Sequence, residues 1–550
     1  MTRSIADKTN LRFKSCSQTR VADPWALADR GAYNAAGSRS RRRPPLPILT
    51  DLQRGALARG YGQDVLIRSC ASVPPMNSRL ALLRTARGLL LGAALATCAC
   101  GGAAEEPANV SVVIDTTATH QTLVGFGAAV AYQPSLLSDR TDDIYQVLFV
   151  DSGLDILRLG NWYQNQDSAD TTPSTPFTDS AQVQIVKNAA AARGSRPPKI
   201  LMSAWSPPAY LKSNGVTRPP RGLDATATPG TLIRNGDGYA YSDYADWWVR
   251  SLQAYAAQGV APDYISIQNE PDFYTRGWET CLWGPNEGAA MEGIATAGYG
   301  QALDAVYHAI QASTLTSRPS IVGPETTGFL DHVVQKYMDG LDPGQLGAIA
   351  HHLYGTTEDN PNPDWFNGPM SAIGKAAAAA GLPTFMTEYS PKAPTMFDTA
   401  WLINNALTLE NVSAYVWWEL IWSPMPPTGL VTIESADPSS PYTINDTYYA
   451  LKHFARWTDP GWVRVDTTSS LSAVRASAFV SPDGSSLTLV LLNTSAQDHW
   501  IAVNPGPFTS ASLAVYRSSG ASERTASVAL ESDGSLLLPS RSIATMTYTP

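Results

Sequence analysis

Cysteine is scarce. The chain has five in 550 residues, and Cys16, Cys70, Cys98 and Cys100 all precede position 101. Beyond that point Cys281 stands alone, so no disulfide can close within the body of the chain, and a large domain needs none. With no second cysteine or histidine near it in sequence, Cys281 reads as a structural residue rather than a nucleophile or zinc ligand. Histidine is scarce as well, and His351-His352 is an adjacent pair rather than one at ligand spacing, so neither a metal site nor a cofactor is expected. Long apolar runs are missing too. The best, Leu89–Ala96, is too short to span a bilayer. Basic residues are few where most of the chain lies, 23 Lys and Arg against 43 Asp and Glu in residues 101–550. Such a surface repels nucleic acid and anionic membrane and gives no reason to expect a polyanionic substrate.

The start of the chain has the opposite charge. Residues 1–75 carry 13 Lys and Arg against 5 Asp and Glu, including Arg41-Arg42-Arg43. A basic arm can bind nucleic acid, but no folded basic module accompanies this one. It reads as a non-native or disordered extension, such as an upstream mis-start. From Met76 a basic segment with Arg79, Arg84 and Arg87 leads into Leu89–Ala96 and then into small residues around Cys98, Cys100 and Ala104. This is the pattern of an export signal over residues 76–104, which implies a secreted or cell-surface protein. Leu95-Ala96-Thr97-Cys98 only loosely matches a lipoprotein box, so a lipid anchor at Cys98 or Cys100 and plain cleavage near Ala104 both stay open.

What the chain has in plenty is aromatic residues, with 15 Trp and 23 Tyr. Sugar rings stack on aromatic faces, but large cores use aromatics as well. From Leu123 onward, short apolar runs alternate with amphipathic stretches. The runs are Leu123–Gly127, Ile156–Gly160, Lys199–Trp205, Tyr264–Glu270, Ile321–Glu325, Ala348–Tyr354, Thr384–Glu388 and Ala414–Glu419. Helical patterns fall at Tyr241–Ala257, Gly288–Ser313, His332–Asp339 and Asp398–Leu409. Eight continuous apolar strands interleaved with helices predict an α/β protein, a (β/α)8 TIM barrel over residues 105–460. Residues 461–550 switch to alternating strands separated by turns such as Pro482-Asp483-Gly484, which predicts an antiparallel β-sandwich side domain. The early strand Val110–Ile114 is a candidate to join that sandwich.

In such a barrel the functional groups gather at the C-terminal ends of the strands. Here those ends hold Arg158, Trp205, Asn269 with Glu270, Glu325, His352 with Tyr354, Glu388, and Trp417 with Trp418 and Glu419. Glu270 closes the fourth run and Glu388 the seventh. Two carboxyls facing each other across a sugar are what a retaining glycosidase needs, one as acid/base and the other as nucleophile.

The segments Leu201–Pro208, Ser266-Ile267-Gln268-Asn269-Glu270-Pro271-Asp272, His352-Leu353-Tyr354-Gly355, Met386-Thr387-Glu388-Tyr389 and Ala414–Trp418 resemble glycoside hydrolase family 30 of clan A, in that family's order. The likeness runs over about residues 110–550 and is stronger to the bacterial xylanase and glucuronoxylanase branch than to the glucosylceramidases. It implies that Glu270 is the acid/base and Glu388 the nucleophile of a double displacement. It also implies that Asn269 holds the sugar 2-hydroxyl and that Trp205 and Trp418 wall the site. Arg158 or Tyr354 would favour an ionised Glu388. His352 would orient Glu388 or a ring hydroxyl, or be a satisfied core histidine, and Trp417 would join the substrate-binding set. One departure stands out. The family's glucuronoxylanases use an Arg after the eighth strand, whereas Trp417–Pro427 contains no basic residue and none appears before Lys452. The expectation is a monomeric, extracytoplasmic β-glycanase acting on polysaccharide, first β-1,4-xylan without a strict need for glucuronyl branches. The rival readings are a β-1,6-glucanase or galactanase, a glucosylceramidase-like hydrolase, a metal-dependent hydrolase, and a polysaccharide-binding protein without activity.

Overall fold

Eight short strands, almost every residue of them buried, close into a parallel barrel. They are Gly125–Ala129, Ile156–Gly160, Lys199–Ser203, Tyr264–Ser266, Ser320–Gly328, Ala348–Tyr354, Thr384–Glu388 and Val412–Trp417. The computed structural model describes residues 108–164, 179–219, 228–356, 360–422, 428–520 and 522–550. The export signal expected at residues 76–104 and the basic extension before it therefore lie outside the described residues, as do residues 423–427 of the segment that lacks an Arg.

Burial on both faces explains why these strands read as unbroken apolar runs. Ile156, Leu201, Val322, Ala348, Ala350, Phe385, Ala414 and Val416 fill the barrel interior. The outward side chains pack under the helices. The helix Tyr241–Ala257 matches its sequence pattern to the residue and buries Tyr244, Trp247, Trp248, Ser251, Leu252 and Tyr255 along one face, a spacing of three and four residues that makes a single stripe. The predicted helix at Gly288–Ser313 is only partly realised. Its first third forms small strand pairs (Ala290–Met291 with Ile294–Ala295, Ala297–Gly298 with Trp283–Gly284), and the helix proper is Tyr299–Ala312. Gly288, Glu292 and Gly293 take positive φ in that stretch, which an α-helix cannot accommodate.

The remaining strands form one nine-stranded sheet that wraps around its own core. Seven of the strands lie between Val463 and Ser527 or at Leu536–Leu538 and one is Ile543–Thr549, while the ninth is the first strand of the described chain, Ala108–Thr122. That strand runs antiparallel to Val463–Ser469 and parallel to His499–Asn504. Val110, Val112, Ile114, Leu489, Leu491, Ile501, Leu536 and Met546 face one another inside, as the two layers of a sandwich do.

Polar groups join sandwich and barrel. Arg475 donates to Asp364 (2.8 Å) and Asn405 (2.9 Å) and lies over the Trp401 ring. His453, fully buried, uses one ring nitrogen on Thr545 Oγ1 and the other on Ser518 Oγ, both at 2.8 Å. Burial first, and then the Lys452 charge, depress its pKa to about 3. The folded protein thus leaves His453 neutral at pH values where the unfolded chain would protonate it. The stability this gives is complete above about 6.5 and is lost as pH falls toward 3. Going from pH 7 to pH 5 should cost about 2 kcal/mol from this group alone. His453→Gln should shrink the drop in Tm between those two pH values, which calorimetry measures directly; an unchanged drop would clear His453 of this role.

Candidate functional site

Alternation along the strands decides which side chains reach the top of the barrel. On the eighth strand Ala414 and Val416 point inward, so Trp418 is in phase with them and Trp417 is not. Trp417 is fully buried on the outer side, and its indole N–H donates to the Thr428 carbonyl at 2.7 Å. The expectation that Trp417 lines the site is corrected on that ground. Trp418 does line it, in a cluster with Trp205 that also includes Tyr132 and Trp162, with ring centroids 5.4–5.9 Å apart. Trp278 packs on the same cluster, and Phe273, 37% exposed, stacks on Trp278 at 6.0 Å.

Below the aromatic wall the charged groups meet. The Arg158 guanidinium, fully buried and 4.7 Å from the Trp205 ring, reaches three strand ends at once. Nη1 donates to Glu388 Oε2 at 2.6 Å, while Nη2 donates to Asn269 Oδ1 at 2.7 Å and lies 3.1 Å from Glu325 Oε1. Because the Asn269 oxygen is taken by Arg158, its amide N–H groups remain to donate elsewhere. The fourth strand itself ends at Ser266. Glu270 sits four residues further on in a left-handed conformation (φ 49°), with its backbone N–H donating to the Glu325 carbonyl at 3.0 Å. Such a φ is uncommon for a non-glycine residue.

Glu270 and Glu388 are each almost buried, 5% and 6% exposed, and one carboxyl oxygen of each lies within 4.8 Å of the other. Burial is the main force that lifts the Glu270 pKa to about 7; the Glu388 charge adds to the rise and His352 opposes it. His352 lies among the acids, with one ring nitrogen within 4.8 Å of an oxygen of both Glu270 and Glu388. Its Nδ1 is 3.1 Å from Glu270 Oε1 and its Nε2 is 3.8 Å from Glu325 Oε1. Burial disfavours its charge, but Glu388, Glu270 and Glu325 together win and raise its pKa to about 9. The Tyr354 hydroxyl faces the two catalytic candidates. Burial, then the Glu388 and Glu270 charges, push its pKa well above 10, so it stays a proton donor.

Two further acidic groups from the row of strand endings, to which the sequence assigned no role, belong to this chamber. Glu325, wholly buried, is held down to about 2 by Arg158 and His352 against the cost of burial. Glu419, next to Trp418, is pushed well above its ordinary value by burial and by the Glu388 charge, and among the described residues neither of its oxygens has a hydrogen-bond partner. Burial thus favours its uncharged form. Glu270, His352 and Glu388 offer three ligand atoms close enough for one cation. Arg158 already supplies a positive charge beside Glu388 at this point.

A carboxyl that burial helps to keep its proton, facing a second one held by Arg158, is suited to double displacement at an anomeric carbon. Retaining pairs stand about 5–5.5 Å apart, and inverting pairs about 6.5–9.5 Å.

Comparison with known proteins agrees. Residues 461–546 match the glycosyl hydrolase family 30 beta sandwich domain. The endo-1,6-beta-D-glucanase neg1 of Aspergillus fumigatus is 27% identical over 444 residues, covering 71% of this chain and 82% of that one. The glucuronoxylanase XynC of Bacillus subtilis is 24% identical over 403 residues, covering 68% and 75%. The catalytic domain of a GH30 xylanase C from Talaromyces cellulolyticus superposes with a TM-score of 0.64 at 22% identity, over 80% of this chain and all of that one. In its closed barrel, its side sandwich and these relationships, the chain is similar to the glycoside hydrolases of family 30, whose beta sandwich domain its residues 461–546 match.

Proposed function

We propose that the protein hydrolyses a neutral β-linked polysaccharide with retention of configuration, with Glu270 as acid/base and Glu388 as nucleophile. The two buried carboxyls, with one oxygen of each within 4.8 Å of the other and Glu388 held by Arg158, carry this reading. Glu388, ion-paired to Arg158, attacks the anomeric carbon while Glu270 protonates the departing oxygen. Glu270 then takes a proton from water, which cleaves the glycosyl–enzyme bond. Asn269 donates to the 2-hydroxyl, a contact that strengthens as the ring gains positive charge. Trp205 and Trp418 stack on the sugar.

For the backbone, β-1,4-xylan without obligatory glucuronyl branches is the first reading. It rests on the resemblance to XynC together with the missing Arg after the eighth strand. The resemblance to neg1 favours β-1,6-glucan as the second. Product analysis on unsubstituted xylan, glucuronoxylan and β-1,6-glucan should show cleavage of an uncharged backbone. Activity confined to glucuronoxylan contradicts both readings. The segment from Met76 supports an extracytoplasmic enzyme whose partner is the polysaccharide itself.

Phe273 and Trp278, which follow Glu270 in sequence, extend the aromatic wall toward solvent. Phe273→Ala should lower kcat/KM on polymer by ~3–10-fold, the worth of one aromatic contact. An aryl glycoside carrying a single sugar should be cleaved at an unchanged rate. Equal loss on both substrates would instead mean that the loop carrying Glu270 had moved.

A further inference from the structure

We propose that Glu325 is a positioning residue of this reaction, a buried anion on the fifth strand that holds Arg158 against the nucleophile and His352 against the acid/base. This rests on the function proposed above and assigns a role to a residue outside the catalytic pair.

One oxygen does most of the work. Glu325 Oε1 is 3.1 Å from Arg158 Nη2, 3.2 Å from Ser203 Oγ and 3.8 Å from His352 Nε2. Each cation then has its opposite nitrogen on a reacting group, Arg158 Nη1 on Glu388 at 2.6 Å and His352 Nδ1 on Glu270 at 3.1 Å. Glu325 thus touches neither reacting carboxyl, yet it touches or faces both of their partners. The backbone reinforces this, because the Glu325 carbonyl accepts from the Glu270 N–H and Glu325 itself has φ 59°. A left-handed glutamate held wholly buried is uncommon and is retained where the surroundings over-determine it.

The charges account for the chamber. Arg158 and His352 are its cations, and Glu325 and Glu388 its anions. Burial favours the neutral form of Glu270 and Glu419. The groups around His352 are Glu270 and Asp272 from the loop after the fourth strand, Glu325 from the fifth, Tyr354 from its own sixth strand, and Glu388 from the seventh. Removing the Glu325 charge leaves Arg158 with one carboxylate and leaves the imidazolium with weaker support. Both cations can then turn away from the groups they orient, and small misplacements of reacting groups cost about 10²-fold in rate.

The test uses the full chain. In the wild type, 15N imidazole shifts should show His352 protonated at pH 7. In Glu325→Gln, which keeps the side chain's shape, that titration should move to lower pH. Its kcat should fall by ~10–100-fold with KM little changed, and Glu325→Asp, which keeps the charge, should recover part of the loss. A neutral His352 at pH 7 in the wild type overturns the proposal without any variant having to fold. So does a Glu325→Gln enzyme with wild-type kcat and pH profile and merely a lower Tm. If Glu388→Gln abolishes hydrolysis while Glu325→Gln keeps the wild-type kcat and pH profile, only this inference fails. If the wild type cleaves no glycan, the proposed function fails instead.

Discussion

Glu388→Gln should lower kcat by at least ~10⁴-fold on every glycan the enzyme cleaves, because an amide cannot form the glycosyl–enzyme bond. The loss should not come from unfolding. A glutamine at this position can still accept from Arg158 Nη1, and Arg158 keeps its contacts with Glu325 and Asn269. The buried guanidinium is therefore not stranded, which would otherwise be strongly destabilising. The purified variant should bind polysaccharide as the wild type does in affinity electrophoresis while hydrolysing none of it. A variant within tenfold of wild-type kcat contradicts the assignment.

The second large effect belongs to Glu270. As the group that gives its proton to the leaving oxygen it must be protonated on arrival, so wild-type kcat/KM should fall as pH rises through about 7. The sign follows from the role: above that value the site holds a carboxylate with nothing to donate. Glu270→Gln should remove this alkaline limb and reduce kcat/KM on natural glycans by ~10²–10⁴-fold, the usual contribution of a positioned acid. The loss should be much smaller for a dinitrophenyl glycoside, whose leaving group needs no proton. The amide oxygen can still face His352 Nδ1, so the geometry around it should survive. Equal losses on both kinds of substrate contradict the role of acid.

The barrel was legible because each of its strands is buried on both sides and so writes an unbroken apolar run into the sequence. The helix Tyr241–Ala257 was legible because its buried face repeats with helical spacing. The stretch from Gly288 to Gly298 was not, since its hairpin depends on residues at positive φ, which a hydrophobic period does not register. Glu270 and Glu388 stand out in the sequence as acids closing apolar runs, although the fourth strand itself ends at Ser266. Trp417 was assigned to the wrong side because a Trp-Trp pair carries no mark of which ring faces inward; the phase set by Ala414 and Val416 does. Glu325 stood in the same row of strand endings as the catalytic pair. Only the convergence of Arg158, Ser203 and His352 on one of its oxygens separates it from an ordinary rim carboxylate. Tyr132, Trp162 and Trp278 come from loops, where composition says nothing about which aromatics meet.

The spacing of Glu270 and Glu388 is the centre of this account, and the stereochemistry of cleavage tests it most directly. Proton NMR of the first-formed product, recorded before mutarotation, should show the newly released reducing end as the β-anomer. An α-anomer as the initial product means that water attacked the anomeric carbon directly, and it would contradict a nucleophilic role for Glu388.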